Sequence, residues 1–237
     1  MTLGEAIQAT QSLYSKGVQT QDSRLRPRHI YNQLMRARST LIAQKVDKGQ
    51  QLSQWDYITL PCVELVIADP NECPGVIQAG CQVLRTKYKL PKLIAGIEGD
   101  IFQSVSSLDG QLIIDPTTFA TNKYNEGNKY TSKKPQRYIF NDYMWITILK
   151  RLQVVQITAP FDNPVEAWLY PSMCEVDHCI DIYEKDFPAT NKMMDTIIDM
   201  AVQKLIAIFV QMREDKNNDA SDNNGPVGGM LHTTPQG

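Results

Sequence analysis

The sequence predicts an α+β protein in which helices at both ends of the chain pack against a central set of antiparallel β hairpins. Periodic apolar residues near the two ends predict the helices, and short β-prone runs between turn residues predict the strands. We expect a single domain over residues 1–212, helical over 1–50, β-rich over 57–160 and helical again over 162–212. Residues 213–237 are expected to form an extended polar tail, because they offer little apolar surface to offset the entropy of ordering.

Two helices are predicted at the N-terminal end. Thr2 and Glu5 have the spacing of a capping box, whose side chains satisfy amide donors at a helix start, and this first helix should reach about Gly17. The second helix follows Pro27 and carries apolar residues three and four positions apart until Gly49.

The middle of the chain contains turn signals between β-prone runs. Residues 58–60 and 63–67 read as strand material, and Pro61 between them predicts an edge or a bend. Asp109-Gly110 predicts a tight hairpin between the runs 101–105 and 112–114. Asn141-Asp142 predicts a second hairpin, and residues 153–158 supply a further strand.

Helical signals return near the C-terminal end. Asp162-Asn163 before Pro164 has the form of a helix cap with proline in the first turn, which predicts a short helix. A longer helix should begin near Thr190, and its apolar stripe ends at Met212.

Composition excludes several classes of protein. The 24 basic and 26 acidic residues give a net charge of −2, so no global positive field attracts nucleic acid. The longest apolar run, Leu205–Val210, is far shorter than the ~20 residues that span a membrane. The first residues lack the basic and apolar regions of a signal peptide, and five scattered cysteines predict reduced thiols without a disulfide framework.

Two patterns in the sequence are candidates for a chemical site. Cys174, His178 and Cys179 could supply zinc ligands with Cys73 or Cys81, or a Cys/His nucleophile pair. No Cys-x-x-Cys pair and no protease signature accompany them, so free thiols are favoured. Residues 96–100 favour a hairpin bend over a phosphate loop. We therefore expect no metal, cofactor or catalytic residue, and a thiol-dependent soluble enzyme is the less favoured alternative.

Three groups of residues are candidates for contact with partners. An arginine cluster around the second helix favours a solvated or salt-bridged face over contact with a partner or with DNA phosphates. The polar segment 117–136, with interleaved Lys and Tyr, favours an arm across a neighbouring subunit over a single-strand binder. The polar tail should be disordered in the isolated protein, and a small apolar anchor near its end predicts that it docks in an assembly. The candidates are Arg24, Arg26, Arg28, Arg36 and Arg38; Lys123, Tyr124, Tyr130, Lys133 and Lys134; and Val227, Met230 and Leu231.

Four segments carry a resemblance to a known family. Residues 88–94, 105–110, 137–146 and 160–167 together resemble a structural protein of tailed phages, nearest to a head-to-tail connector, or neck ring, protein of the crAss-like group. The resemblance covers about residues 65–170. Related chains often read Phe-Glu-Asp-Pro where this chain has Phe-Asp-Asn-Pro at 161–164.

This resemblance implies a structural role in the virion. It implies a ring of twelve copies in the phage neck, stacked beneath the portal protein and in contact with further neck or tail proteins. The ring would join the portal to the tail and line the path of double-stranded DNA, without sequence-specific binding, during packaging retention and ejection. It implies assembly in the bacterial host cytoplasm, no membrane and no cofactor. A tail-tube or baseplate component is the alternative.

Overall fold

The fold is α+β, as the sequence predicts. The computed structural model describes residues 1–17, 25–69, 83–97, 99–118, 121, 134–147, 152–174 and 180–222. Within them, a helical layer and a β sheet each have their own hydrophobic core.

Three helices form the helical layer. Helix α1 spans Leu3–Tyr14, α2 spans Pro27–Asp47 and α4 spans Asn191–Asp222. The capping box before α1 is confirmed: the Glu5 amide donates to Thr2 Oγ1 (3.2 Å), and the Thr2 amide donates to Glu5 Oε2 (2.9 Å). The apolar faces of the helices share one core, whose fully buried members include Ala6, Ile30, Leu34, Ala37, Ile42, Ile197 and Ala201.

Helix α4 is longer than the sequence analysis expects. The predicted tail begins at residue 213, but the helix continues to Asp222, so residues 213–222 are helical and that part of the prediction is wrong. No Gly or Pro interrupts the sequence between Asn191 and Asp222, and the first one beyond is Gly225. A helix already started on the core can therefore propagate through charged residues at small cost per residue. Residues 223–237 lie outside the described part of the chain.

The remaining elements belong to the β-rich middle. A short helix, α3, covers Pro164–Trp168, and its predicted cap is confirmed because Asn163 Oδ1 accepts from the Val165 amide (3.1 Å). Single 3-10 turns lie at Gln54–Asp56 and Ile182–Glu184. The strands are β1 Ile58–Ile67, β2 Leu84–Thr86, β3 Ala95–Gly96, β4 Gly99–Asp100, β5 Ser104–Ser106, β6 Asp115–Pro116, β7 Gln136–Phe140, β8 Tyr143–Thr147 and β9 Val154–Ala159.

Seven strands form one sheet that closes on itself. Their order is β5-β9-β1-β2-β8-β7-β6, and every pair is antiparallel except β6–β7, which is parallel. The two end strands are joined through residues 112–114: Ser106 bridges Ile113, and the Ile114 amide donates to the Val105 carbonyl (2.9 Å). Arg137 adds to this closure, since its Nε donates to the Ile114 carbonyl (3.2 Å) and its guanidinium lies 4.0 Å from the centre of the Phe102 ring. The result is a small barrel filled by side chains.

Strand β1 bends through a bulge at the predicted proline. Its pairing with β9 shifts register between Leu60 and Val63, and Cys62 in this bulge has a φ of +52°. Ile58 and Leu60 point inward before the bulge and Val63 and Leu65 after it. The extra residue thus keeps both halves of a strict alternation facing the same core.

Two hairpins are confirmed and one is shorter than expected. Asn141 and Asp142 both have positive φ, 54° and 66°, which suits a two-residue turn between β7 and β8. Strands β3 and β4 form the predicted bend at residues 96–100. The turn at Asp109-Gly110 also forms, but pairing across it is limited to the Ser106–Ile113 bridge and flanking backbone hydrogen bonds, because the chain then leaves β5 to join β7.

Two cysteines form a disulfide, so the prediction that all five are free thiols is wrong. Cys62 in the β1 bulge and Cys174, which follows α3, are bonded with their Cα atoms 5.7 Å apart. The same junction carries two hydrogen bonds, from the Met173 amide to the Cys62 carbonyl and from Ser172 Oγ to the Pro61 carbonyl, each 3.1 Å long. These residues lie 112 positions apart in sequence, so no local spacing could indicate their contact.

Arg38 joins the two cores, and its assignment to a partner surface is wrong. It is fully buried, and its guanidinium donates to three main-chain carbonyls: Phe161 (2.6 Å), Pro188 (2.8 Å) and Asp56 (3.0 Å). Burial lowers the pKa of Arg38 to about 10, with the nearby Asp56 carboxylate opposing that shift. The side chain therefore remains charged at neutral pH.

The Phe-Asp-Asn-Pro segment packs against the same helix. Phe161 is buried in the barrel core, Ser39 Oγ donates to the Asp162 carboxylate, and the Tyr31 hydroxyl donates to Asn163 Oδ1. These contacts, together with Arg38, fix the junction between β9 and α3 onto α2. The segment that carries part of the family resemblance is thus an internal joint between the two layers.

Candidate assembly surfaces

The remaining predicted residues divide between two parts of the molecule. Arg26, Arg28 and Arg36 are exposed on the helical layer, and no ion pair within the described ranges involves them. Arg28 and Arg36 lie two turns apart on one face of α2. Lys134 is exposed just before β7, on the barrel. Outside the described residues lie Arg24, Lys123, Tyr124, Tyr130, Lys133, Val227, Met230 and Leu231.

A groove that the sequence did not indicate opens where the barrel meets the helical layer. It has a volume of about 840 Å³, and its lining comes from the 3-10 turn at 54–56, the start of β1, α3 and the segment leading into α4. Trp55 is 66% exposed and Met1 47% exposed, so the groove leaves two large apolar side chains in contact with solvent. The apolar lining residues are Met1, Trp55, Tyr57, Ile58, Trp168, Phe187, Pro188 and Ala189.

The groove continues toward the disulfide. A smaller pocket of about 170 Å³ shares Ile58, Thr59, Trp168 and Lys185 with it. Its lining also includes Pro61 and Ser172, the residues that flank the junction between Cys62 and Cys174. Trp168 packs against both cores, so the groove follows the seam between the two layers.

Polar groups make up about half of the groove surface. The polar lining residues are Gln54, Thr59, Lys185, Asp186, Thr190 and Asn191. Burial and the neighbouring Asp56 carboxylate raise the pKa of Tyr57, so its hydroxyl stays protonated. Among the described residues, no three His, Cys, Asp or Glu side chains are grouped to hold a metal ion. The arrangement suits a segment of chain whose apolar side chains meet the aromatic residues and whose main-chain polar groups meet the polar ones.

The far end of α4 projects beyond its two partner helices. The segment before α4 pairs with Thr2 and Leu3 at the start of α1, and the Phe209 ring lies 6.3 Å from that of Tyr14 at the end of α1. The centre of the His29 ring, in the first turn of α2, lies 6.1 Å from the centre of the Phe209 ring. Residues 210–222 extend about 20 Å further, past the level at which α1 ends and α2 begins.

The groove and the projecting end of α4 are two dissimilar surfaces at separate places on the molecule, and a subunit that contacts its copies head-to-tail needs two such surfaces. A family model described as phage tail ring protein 2 matches residues 7–224, and the chain belongs to that family. It is therefore a structural phage tail or neck protein that assembles into a ring and is part of the virion. No curated protein gives a significant match. Within the described residues, no helix is both long and apolar enough to cross a membrane.

The family match spans more of the chain than the four resembling segments. It covers both the helical layer and the barrel, whereas the four resembling segments cover only about residues 65–170. The family assignment of the whole fold thus does not depend on the short Phe-Asp-Asn-Pro segment. Groove residues such as Trp55 and Phe187 lie inside the matched range but outside those segments, so the resemblance does not indicate them.

Proposed function

We propose that the chain forms a closed ring in the phage neck, where it joins the portal to the tail and surrounds the path of double-stranded DNA. The observation that carries the proposal is the ring-family match over residues 7–224. By analogy with the connector proteins that the sequence resembles, the ring has twelve copies. It retains DNA during packaging and conducts it during ejection, and the chain is assembled in the host cytoplasm.

The geometry supports a cyclic ring. A cyclic ring uses head-to-tail contacts, so every subunit must present two different faces. Asn191 at the start of α4 lines the groove, and Asp222 ends the helix about 48 Å away. The two dissimilar surfaces therefore stand at opposite ends of one rigid element.

The charge distribution supports a conduit without tight DNA binding. Each phosphate that a Lys or Arg neutralises releases counterions and strengthens binding, so a continuous cationic lining would hold the genome in place. With a net charge of −2, the chain has no excess of positive charge for such a lining. We propose that Arg26, Arg28 and Arg36 lie mainly at interfaces between protein subunits.

The role that we propose involves no catalysis and no cofactor. The thiol-enzyme alternative needs Cys174 or Cys179 as a nucleophile beside His178. Cys174 is bonded to Cys62, which removes it from that pair while the disulfide persists.

Electron microscopy of intact virions tests the proposal. We expect twelve-fold density for this chain directly beneath the portal, with the barrel and the three-helix layer recognisable in each subunit. Native mass spectrometry of the purified chain, alone and mixed with the portal protein, should reveal a ring-sized oligomer. Density along the tail tube or in the baseplate would contradict the neck position and favour the alternative, and a chain that stays monomeric in both mixtures and in the virion would contradict the ring.

A further inference from the structure

We infer that the seam groove of each subunit binds the segment Val227–Leu231 of the neighbouring copy. The inference rests on the proposed ring, and it deepens it by naming which part of one subunit contacts which part of the next. Among the described residues, Trp55 has the largest exposed aromatic side chain, and it lines this groove. The segment holds the last apolar cluster of the chain, Val227, Met230 and Leu231.

The chemistry of the two surfaces matches. The groove offers indole, phenol and thioether surfaces at Trp55, Trp168, Tyr57 and Met1, and burial of apolar side chains against them is favourable by roughly 25 cal/mol per Å². Its volume of about 840 Å³ falls in the range that holds a few side chains. The side chains of Val227 and Leu231 are small enough to enter the groove, and that of Met230 is unbranched and flexible. The Asn and Gly residues around them allow the backbone to adapt.

The length of the chain decides between a subunit's own groove and its neighbour's. Helix α4 begins at the groove with Asn191 and ends about 48 Å away at Asp222. Leu231 comes nine residues after Asp222, and nine fully extended residues reach only about 31 Å. The apolar segment is therefore too short to return to the groove of its own subunit. A second copy must supply the groove, which makes the contact head-to-tail.

Such a contact also explains why the groove is open in a single chain. Each copy contributes one segment and one groove, so a closed ring satisfies every groove and leaves none exposed. The contact itself is modest in affinity because the segment loses conformational freedom when it binds. In a ring, the neighbour's segment is tethered close to the groove, and its effective concentration compensates for that weakness.

A peptide titration tests the inference on the full chain. The chain carrying Met230→Asp and Leu231→Asp keeps its groove, and its altered segment no longer competes with the peptide for the grooves of other copies. A fluorescently labelled peptide of residues 223–237 is titrated with this chain, and fluorescence anisotropy reports binding. We expect saturable binding, weakened at least about tenfold when Trp55→Ala is added, because aromatic anchors at the centre of an interface carry much of its energy.

Matched variants separate a specific contact from a general apolar effect. Ile97 is 85% exposed at the turn between β3 and β4, away from the groove lining, so Ile97→Ala should leave the affinity within about twofold. A peptide with Met230→Ala and Leu231→Ala should bind at least about tenfold more weakly, whereas one with Thr233→Ala should bind like the native peptide.

Three results would overturn the inference: no saturable binding, equal losses with Trp55→Ala and Ile97→Ala, or a groove occupied in virions by a different protein. Failure of the inference and failure of the proposed function are distinguishable. Peptide binding without a neck ring in the virion would contradict only the proposed function. A neck ring whose subunits do not bind the peptide would contradict only the groove contact.

Discussion

Arg38 is the residue on which the two layers of the molecule depend most directly. Its three hydrogen bonds end on carbonyls from three separate segments, at Asp56, Phe161 and Pro188. A planar guanidinium with five donors can satisfy all three at once, whereas the ammonium of a lysine could not reach them from one position. The cost of desolvating one charge is thus offset by the joining of two cores.

Replacing this guanidinium should destabilise the fold. We expect Arg38→Met to lower the free energy of unfolding by ~3 kcal/mol, because it leaves buried carbonyls without donors and removes the positive charge near the buried Asp56. Urea denaturation followed by circular dichroism measures the loss. Arg36→Met, on the exposed side of the same helix, is the matched control and should change the stability by less than ~0.5 kcal/mol. Equal stabilities of the two variants would contradict this role for Arg38.

Tyr31 should make stability depend on alkaline pH. Burial, and then the Glu166 and Asp162 carboxylates, raise the pKa of Tyr31 to about 12 from an ordinary value of 10. The unfolded chain therefore loses this proton first, and the stabilisation is complete below pH 10 and is lost as the pH rises toward 12. We expect Tyr31→Phe to be less stable than the native chain at pH 8, where the hydrogen bond to Asn163 is intact, and the difference to shrink between pH 10 and 12.

The measurement is a set of denaturation curves for the two chains from pH 8 to 12. Other buried tyrosines and arginines titrate in the same range. Because both chains contain them, their contributions to stability cancel in the difference between the two chains. A stability difference that stays constant or grows over this range would show that the hydroxyl of Tyr31 does not titrate as proposed.

Residues whose roles are local were predictable from the sequence. The capping pair of Thr2 and Glu5, the Asn163 cap and the two-residue turn at Asn141-Asp142 each depend on neighbours within a few positions. Arg38 belongs in sequence to the arginine cluster around α2, which predicts a partner surface for it. Its partners lie 18, 123 and 150 positions away, so periodicity alone could not separate it from the exposed Arg36.

At the scale of elements, the disulfide between β1 and the segment after α3 is the most direct link within the barrel side of the molecule. It closes a loop whose ends are 112 residues apart, and in the chain-entropy account a long closed loop restricts the unfolded ensemble strongly. The same bond lies next to the groove, so it also fixes the wall that carries Pro61 and Ser172.

Reduction should therefore weaken the fold without unfolding it. We expect dithiothreitol, or the double substitution Cys62→Ser and Cys174→Ser, to lower the free energy of unfolding by about 2–4 kcal/mol and the Tm by about 5–15 °C. Differential scanning calorimetry measures the shift, and intact mass before and after reduction counts the disulfide. The double variant is its own control, because its Tm should no longer respond to dithiothreitol. A native chain whose Tm ignores the reductant would contradict the prediction.

The helices and most strands followed from periodicity, but two features of the elements did not. The continuation of α4 to Asp222 was missed because its apolar stripe stops near Met212, while the helix needs only the absence of Gly and Pro to propagate. The closure of the sheet was missed because residues 112–117 pair with β5 through their first half and with β7 through their second. A hairpin prediction assigns each run to a single partner and cannot reveal such a switch.

For the whole molecule, the segment between β6 and β7 provides a test of ring assembly. Most of it lies outside the described residues, and its Lys and Tyr content predicts contact with an adjacent subunit or layer. We expect deletion of residues 123–130 to leave a folded chain, with native circular dichroism and Tm, that no longer enters virions efficiently. Deletion of residues 233–237, beyond the apolar cluster of the tail, is the control and should leave assembly intact. Normal virion assembly by the 123–130 deletion would contradict the prediction.

The closed sheet has a consequence for how copies of this chain can associate. An open sheet invites a second chain to add a strand, and such additions repeat without limit because each new edge is as open as the last. Here residues 112–114 pair with β5, the strand at one end of the seven-stranded sheet, so within the described residues a second copy cannot add its own strand at that place. Copies are then left to associate through side-chain surfaces, and head-to-tail contacts between such surfaces form a ring where the rotation between copies closes and a fibre where it does not.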